Sequence, residues 1–120
     1  MARPLRCDRR GMVPMADHPK ILLVEHDRLL RMDLALVLGR EGYDLDTATC
    51  AADAIDLLGR GRYAVVLTDI GEVLHAAKRA DPTTKVVLVT SSPSAAPADD
   101  VILKPFPLAH LVDTVRRLAV

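Results

Sequence analysis

Three short runs that are almost wholly aliphatic constrain this chain more than any other feature: Ile21 to Val24, Tyr63 to Thr68 and Lys85 to Val89. A strand with one wet face alternates apolar and polar residues. These runs do not alternate, so both of their faces must be covered. The segments between them have a different period. After Asp27, which can cap a helix, RLLRMDLALVLGREG repeats Leu29, Leu30, Leu34, Leu36, Val37 and Leu38 at helical spacing, and Gly42 is a natural stop. Ala51 to Leu58 reads as a second helix ended by Gly59 and Gly61, Glu72 to Ala80 as a third ended at Asp81-Pro82, and Leu108 to Leu118 as the last. Tyr43 to Thr47 and Asp100 to Leu103 complete a set of five strands. Alternation with short joins predicts a parallel sheet with helices on both faces, a three-layer doubly wound α/β fold.

The totals agree with one such unit. In 120 residues, half are apolar but only 2% aromatic, so the core must be built from Val, Leu, Ile and Ala. The formal net charge of zero argues against nucleic acid as the main partner. No apolar run approaches a membrane span, and no signal core follows the basic N-terminus, so a cytoplasmic protein is expected. Cys7 and Cys50 are isolated and read as free thiols of a reducing compartment. Residues 1–19 hold several Arg and no periodicity and are expected to be a disordered extension, with Met15 as an alternative start and a basic binding arm as the competing reading. The domain is expected over 20–120.

In sheets of this kind the ligand site lies beyond the carboxyl ends of the strands. That rule alone brings together Glu25, His26, Asp27, Asp69, Thr90 and Lys104. Asp69, at the mouth of a buried strand, is costly unless it has work there. No glycine-rich phosphate loop follows the first strand, which disfavours a nucleotide- or flavin-binding enzyme.

KILLVEHDRLLR, YAVVLTDI, KVVLVTS, ADDVILKPF and the final amphipathic helix, in that order, resemble the receiver domain of two-component response regulators, the family of the chemotaxis response regulator. The resemblance implies a flavodoxin-like sheet of order 2-1-3-4-5. It implies that Asp69 accepts a phosphoryl group from a histidine kinase or phosphotransfer protein. It also implies that Thr90 hydrogen-bonds that group, that Lys104 contacts it, and that Glu25, His26, Asp27 and Asp69 surround a Mg²⁺. The Lys104–Pro105 bond is often cis in the family. Lys is a strong point charge for phosphate, and phosphoryl transfer needs positioning and charge neutralisation more than covalent help. No enzyme activity beyond self-catalysed phosphoryl transfer and dephosphorylation is implied.

Three departures bear on function. His26 stands where the family has a metal-binding acid, and imidazole suits softer metals than Mg²⁺, so Mg²⁺ binding should be weakened. A Zn²⁺-type site from His26, Glu25 and Asp69, or a His26 that only hydrogen-bonds its acidic neighbours, are the other readings. The loop after Asp69, reduced to Ile70-Gly71, is shorter than the family's by roughly six residues; that stretch normally gives a carbonyl to the metal and an amide to the phosphate. Finally, SSPSAAPA between Thr90 and Asp99 is too short and proline-rich for the helix that usually joins the fourth and fifth strands. Val101 also stands at the position of the family's aromatic switch. Loss of that helix predicts an open apolar face on the fourth and fifth strands and a homodimer or obligate partner through it. Two functions follow as expectations: a single-domain phosphoacceptor signalling by protein contact, or a degenerate pseudo-receiver acting as a phosphorylation-independent interaction module. His75 and His110 are expected at the surface, and Glu72, Lys78 and Arg79 on an ordinary solvated helix face.

Overall fold

The computed structural model describes residues 19–92 and 98–119. The expected N-terminal extension and Cys7 lie outside these residues, apart from Pro19. In chain order the elements are β1 (Lys20–Val24), α1 (Arg28–Arg40), β2 (Asp44–Ala48), α2 (Ala51–Leu58), β3 (Val65–Thr68), α3 (Gly71–Ala80), β4 (Lys85–Thr90), β5 (Asp100–Leu103) and α4 (Leu108–Leu118). The strands form one parallel sheet of order β2-β1-β3-β4-β5, the doubly wound arrangement expected. The four helices fall on the four amphipathic segments. The described residues between Thr90 and Asp100 carry no helix, and residues 93–97 of that join lie outside them.

Strand geometry sends successive side chains to opposite faces, so the non-alternating runs supply two cores. Leu22, Val24, Val66, Val86 and Leu88 face one layer with Ala54 and Leu58 of α2 and Val73, Leu74 and Ala77 of α3. Ile21, Leu23, Val65, Leu67, Val87, Val89 and Ile102 face the other with Leu34 and Leu38 of α1 and Leu111, Val112 and Val115 of α4. Among the apolar residues of α1, Leu34 and Leu38 are buried while Leu29 and Leu36 are exposed. Gly42, at φ +93°, turns the chain into β2 in a backbone conformation that only glycine adopts without strain.

The expectation of an open face on β4 and β5 needs correction. Val86 and Leu88 are buried, in one cluster with the apolar side of α3. What remains open is the margin: Val101 is half-buried and Leu103 is 49% exposed. The short join after Asp69 starts α3 at Gly71, one residue earlier than the spacing predicted. Lys78 is likewise no ordinary solvated residue. Its Nζ donates to the Thr84 carbonyl at 2.7 Å and to Asp99 Oδ2 at 2.7 Å, and that same carboxylate oxygen accepts the Val86 amide at 2.7 Å. The Asp99 amide donates to the Val86 carbonyl at 2.8 Å, so Asp99 clasps α3, β4 and the entry to β5. Burial pushes the Asp99 carboxyl up, but the hydrogen bonds from Lys78 and the Val86 amide, with the charges of Lys78 and Lys85, together hold it below the usual carboxylate range. Asp100 is also held low, chiefly by the Arg117 guanidinium 2.7 Å away. Glu72, Arg79, His75, His110 and Cys50 are exposed, and Cys50 is a free thiol.

Candidate functional site

The register of the sheet assembles the site. Leu23 pairs with Leu67, so Glu25 and Asp69 stand two residues further along β1 and β3 at the same level. Thr68 pairs with Leu88 and Thr90 with Leu103, which brings Thr90 and Lys104 to the same end of the sheet. The Lys104 amide donates to the Thr90 carbonyl at 2.8 Å, and the Lys104–Pro105 peptide is cis.

The side chains converge unequally. Lys104 Nζ lies 3.0 Å from Glu25 Oε1 and 3.9 Å from Asp69 Oδ2. Glu25 is 2% exposed, an environment that a carboxylate tolerates only with a charge partner and hydrogen bonds. It has both: Lys104 on one oxygen and the Asp27 amide, at 3.2 Å, on the other. Asp69 is more open, at 22% of its side-chain surface.

The remaining expected site residues are turned elsewhere. Asp27 Oδ1 accepts the amides of Leu29 and Leu30 at 3.0 and 3.3 Å, so it caps α1. The His26 side chain is 74% exposed, with Nδ1 3.8 Å from Glu25 Oε2, beyond hydrogen-bond reach. The Thr90 hydroxyl is engaged with its own loop, accepting the Ser92 amide at 3.2 Å and donating to the Ser92 carbonyl at 3.1 Å. Arg31, which the sequence reading passed over, donates from Nη1 to the Glu25 carbonyl at 2.8 Å and reaches the His26 carbonyl at 3.5 Å. Its spacing of four from the cap Asp27 was the available signal: one helical turn carries it back over the end of β1.

In this arrangement the described donors do not converge on one Mg²⁺ position. Mg²⁺ demands octahedral oxygen ligands. Glu25 is ion-paired with Lys104, Asp27 caps α1, and His26 offers a solvent-facing imidazole. The carbonyl after Asp69 is also redirected. As the first residue of α3, Gly71 points its carbonyl along the helix toward the C-terminal end and its amide the other way. Among the described residues, no three His, Cys, Asp or Glu side chains converge as a metal-holding group. The same geometry leaves the Zn²⁺ reading without its histidine.

Residues 21–116 match the model of the response regulator receiver domain. The chain is 34% identical over 114 residues to the transcriptional regulatory protein BasR of Escherichia coli (strain K12), covering 82% of this chain and 51% of that one. It is 32% identical, with the same coverage, to the transcriptional regulatory protein PmrA of Pectobacterium parmentieri. The chain thus spans about half the length of the curated relatives it matches. Among solved structures, the response regulator TrrA of Thermotoga maritima, in complex with Mg²⁺-BeF, superposes with a TM-score of 0.76 at 26% identity over 83% of this chain and 98% of that one. Among the described residues, no helix is long and apolar enough to cross a membrane. The doubly wound sheet, the strand-end constellation of Glu25, Asp69 and Lys104 and the family match converge: the chain belongs to the receiver-domain family of two-component response regulators.

Proposed function

We propose that this receiver accepts a phosphoryl group on Asp69 from a phosphohistidine donor, on a kinase or phosphotransfer protein, and signals by protein contact. The observation that carries this reading is the Lys104 ammonium, after β5, held 3.9 Å from the Asp69 carboxylate, after β3, at one end of the sheet. In the step proposed, an Asp69 oxygen attacks phosphorus and the P–N bond of the donor breaks. The leaving imidazole keeps the bonding pair and takes a proton from solvent. The acyl phosphate brings about −1.5 to −2 charges to the strand mouth. Lys104 meets that charge, and Thr90, once turned from Ser92, can donate to one oxygen. The functional unit is taken to run from Lys20 to Val120.

The competing reading, a phosphorylation-independent interaction module, draws on the incomplete metal set. Intact mass after incubation with a small phosphodonor and acid quench separates the two. The expected result is an adduct of phosphate mass that Asp69→Asn abolishes; no Asp69-dependent adduct means the phosphoacceptor reading fails. The partner of this chain is proposed to be a protein. Among the described residues, the apolar surface that β4 and β5 leave for self-association is Val101 and Leu103, since Val86 and Leu88 are covered.

A further inference from the structure

α1 is apolar on two sides, and only one of them packs against this chain. Leu34 and Leu38 are buried toward the sheet, with Leu30 and Val37 packed beside them. At about 100° of turn per residue, Leu29, Met32 and Leu36 fall on the far side of the helix. They are 74%, 54% and 55% exposed, the three most exposed large apolar side chains among the described residues. Single exposed leucines are ordinary, but a stripe at i, i+3 and i+7 is the narrow seam by which one helix packs along another. The next seam position is Gly39, which presents no side chain and where a Cβ would meet nothing within 4 Å. The flanks of the stripe tell which helix fits it. Arg28 borders it on one side and Asp33 on the other, both exposed and neither in an ion pair among the described residues. When two copies of a helix pair in parallel about a two-fold axis, each seam residue meets its own counterpart. Each flanking residue on one side then faces the residue five positions further along on the other copy. Arg28 and Asp33 stand in that relation, so two Arg28–Asp33 pairs close over the seam. Antiparallel pairing would instead set Asp33 beside Asp33. We propose that the outer face of α1 docks a second copy of this chain, in parallel, with Leu29, Met32 and Leu36 at the centre and Arg28 of each copy against Asp33 of the other. Three side chains make a small apolar centre, far below what permanent dimers bury, so the association is weak and charge sets its orientation more than its strength. This face is distinct from the β4–β5 margin, and the pairing does not depend on the chemistry of Asp69.

The test is sedimentation velocity of the full chain from about 10 μM to about 1 mM, the range in which a small interface titrates. The wild-type chain is expected to pass from monomer to dimer across that range. Leu36→Asp, checked for folding by circular dichroism, is expected to weaken association about tenfold or more, and Leu103→Ser to leave it unchanged. Arg28→Asp and Asp33→Arg each set like charges across the seam and should weaken association about fivefold, while the two exchanges together restore it. A wild-type chain still monomeric at about 1 mM overturns the proposal, as does a dimer that Leu36→Asp leaves intact or that Leu103→Ser dissolves. Failure of the double exchange to recover what each single change loses overturns the parallel pairing. The wild-type arm requires no variant, so the proposal stays open to refutation even if a substitution fails to fold.

Discussion

The middle of the sheet and its β4–β5 margin are written in the same aliphatic alphabet yet are closed by different means. In β1 and β3 every residue from Ile21 to Val24 and from Val65 to Thr68 is buried, because α1 and α4 cover one face and α2 and α3 the other. At the margin, α4 covers Ile102, α3 reaches Val86 and Leu88, and beyond them Val101 is half-covered and Leu103 open. There the closure is polar: Asp99 holds Lys78 and the backbone of Val86 together. Apolar sequence on both faces therefore tells that cover is needed. How that cover is supplied depends on which connection is long enough to bring a helix back.

The comparison can be broken by experiment, beginning where the effect should be largest. Leu67→Ala, in the fully buried centre, should cost about 2–5 kcal/mol in urea unfolding, as large-to-small core changes do. If the loss were under about 1 kcal/mol, the centre would not be packed as described. Asp99→Ala removes a charged acceptor from both Lys78 Nζ and the Val86 amide and should cost about 1–3 kcal/mol. A neutral result would reduce the clasp to an ornament of the margin.

Acid should act on the margin next. Asp99 and Asp100 are both held below their ordinary range in the folded chain. Groups with a depressed folded pKa stabilise above the unfolded value, about 3.9 for Asp, and lose that contribution as pH falls through the folded value. Stability of the wild-type chain should therefore fall below about pH 4, and Asp99→Ala should flatten that fall. An equal acid slope in the variant would remove Asp99 from the account. The smallest effect is expected at the open edge. Leu103→Ser should change monomer stability by no more than about 0.5 kcal/mol. It bears on self-association more than on folding: a wild-type dimer by light scattering that Leu103→Ser dissolves would restore the β4–β5 face as an interface, and a wild-type monomer at micromolar concentration would close that route.

Much of the site was legible because strand ends are legible. An apolar run followed at once by Glu25, by Asp69 or by Lys104 tells which residues stand at the mouth, and the sheet order brings those mouths together. The roles within that set were less legible. Asp27 read equally as a cap and as a metal neighbour; the geometry of α1 assigns its oxygen to the Leu29 and Leu30 amides. His26 stands at a position that matters in the family, but its side chain leaves the site. Lys78 looked like a surface cation because the partner that makes it otherwise, Asp99, is 21 residues away.

By itself, then, the sequence determined the five strands, three of them aliphatic runs, the four amphipathic helices, the two-sided burial and the placing of Glu25, Asp69, Thr90 and Lys104 at one end of the sheet. These follow from period and order, which are local. Only the tertiary structure decided that Lys104 pairs first with Glu25, 79 residues distant, that α3 lies over β4, and that Asp99 closes the margin. An ion pair forms over a few ångströms, and a separation that small between distant residues is set by sheet register and loop length, which no single segment carries.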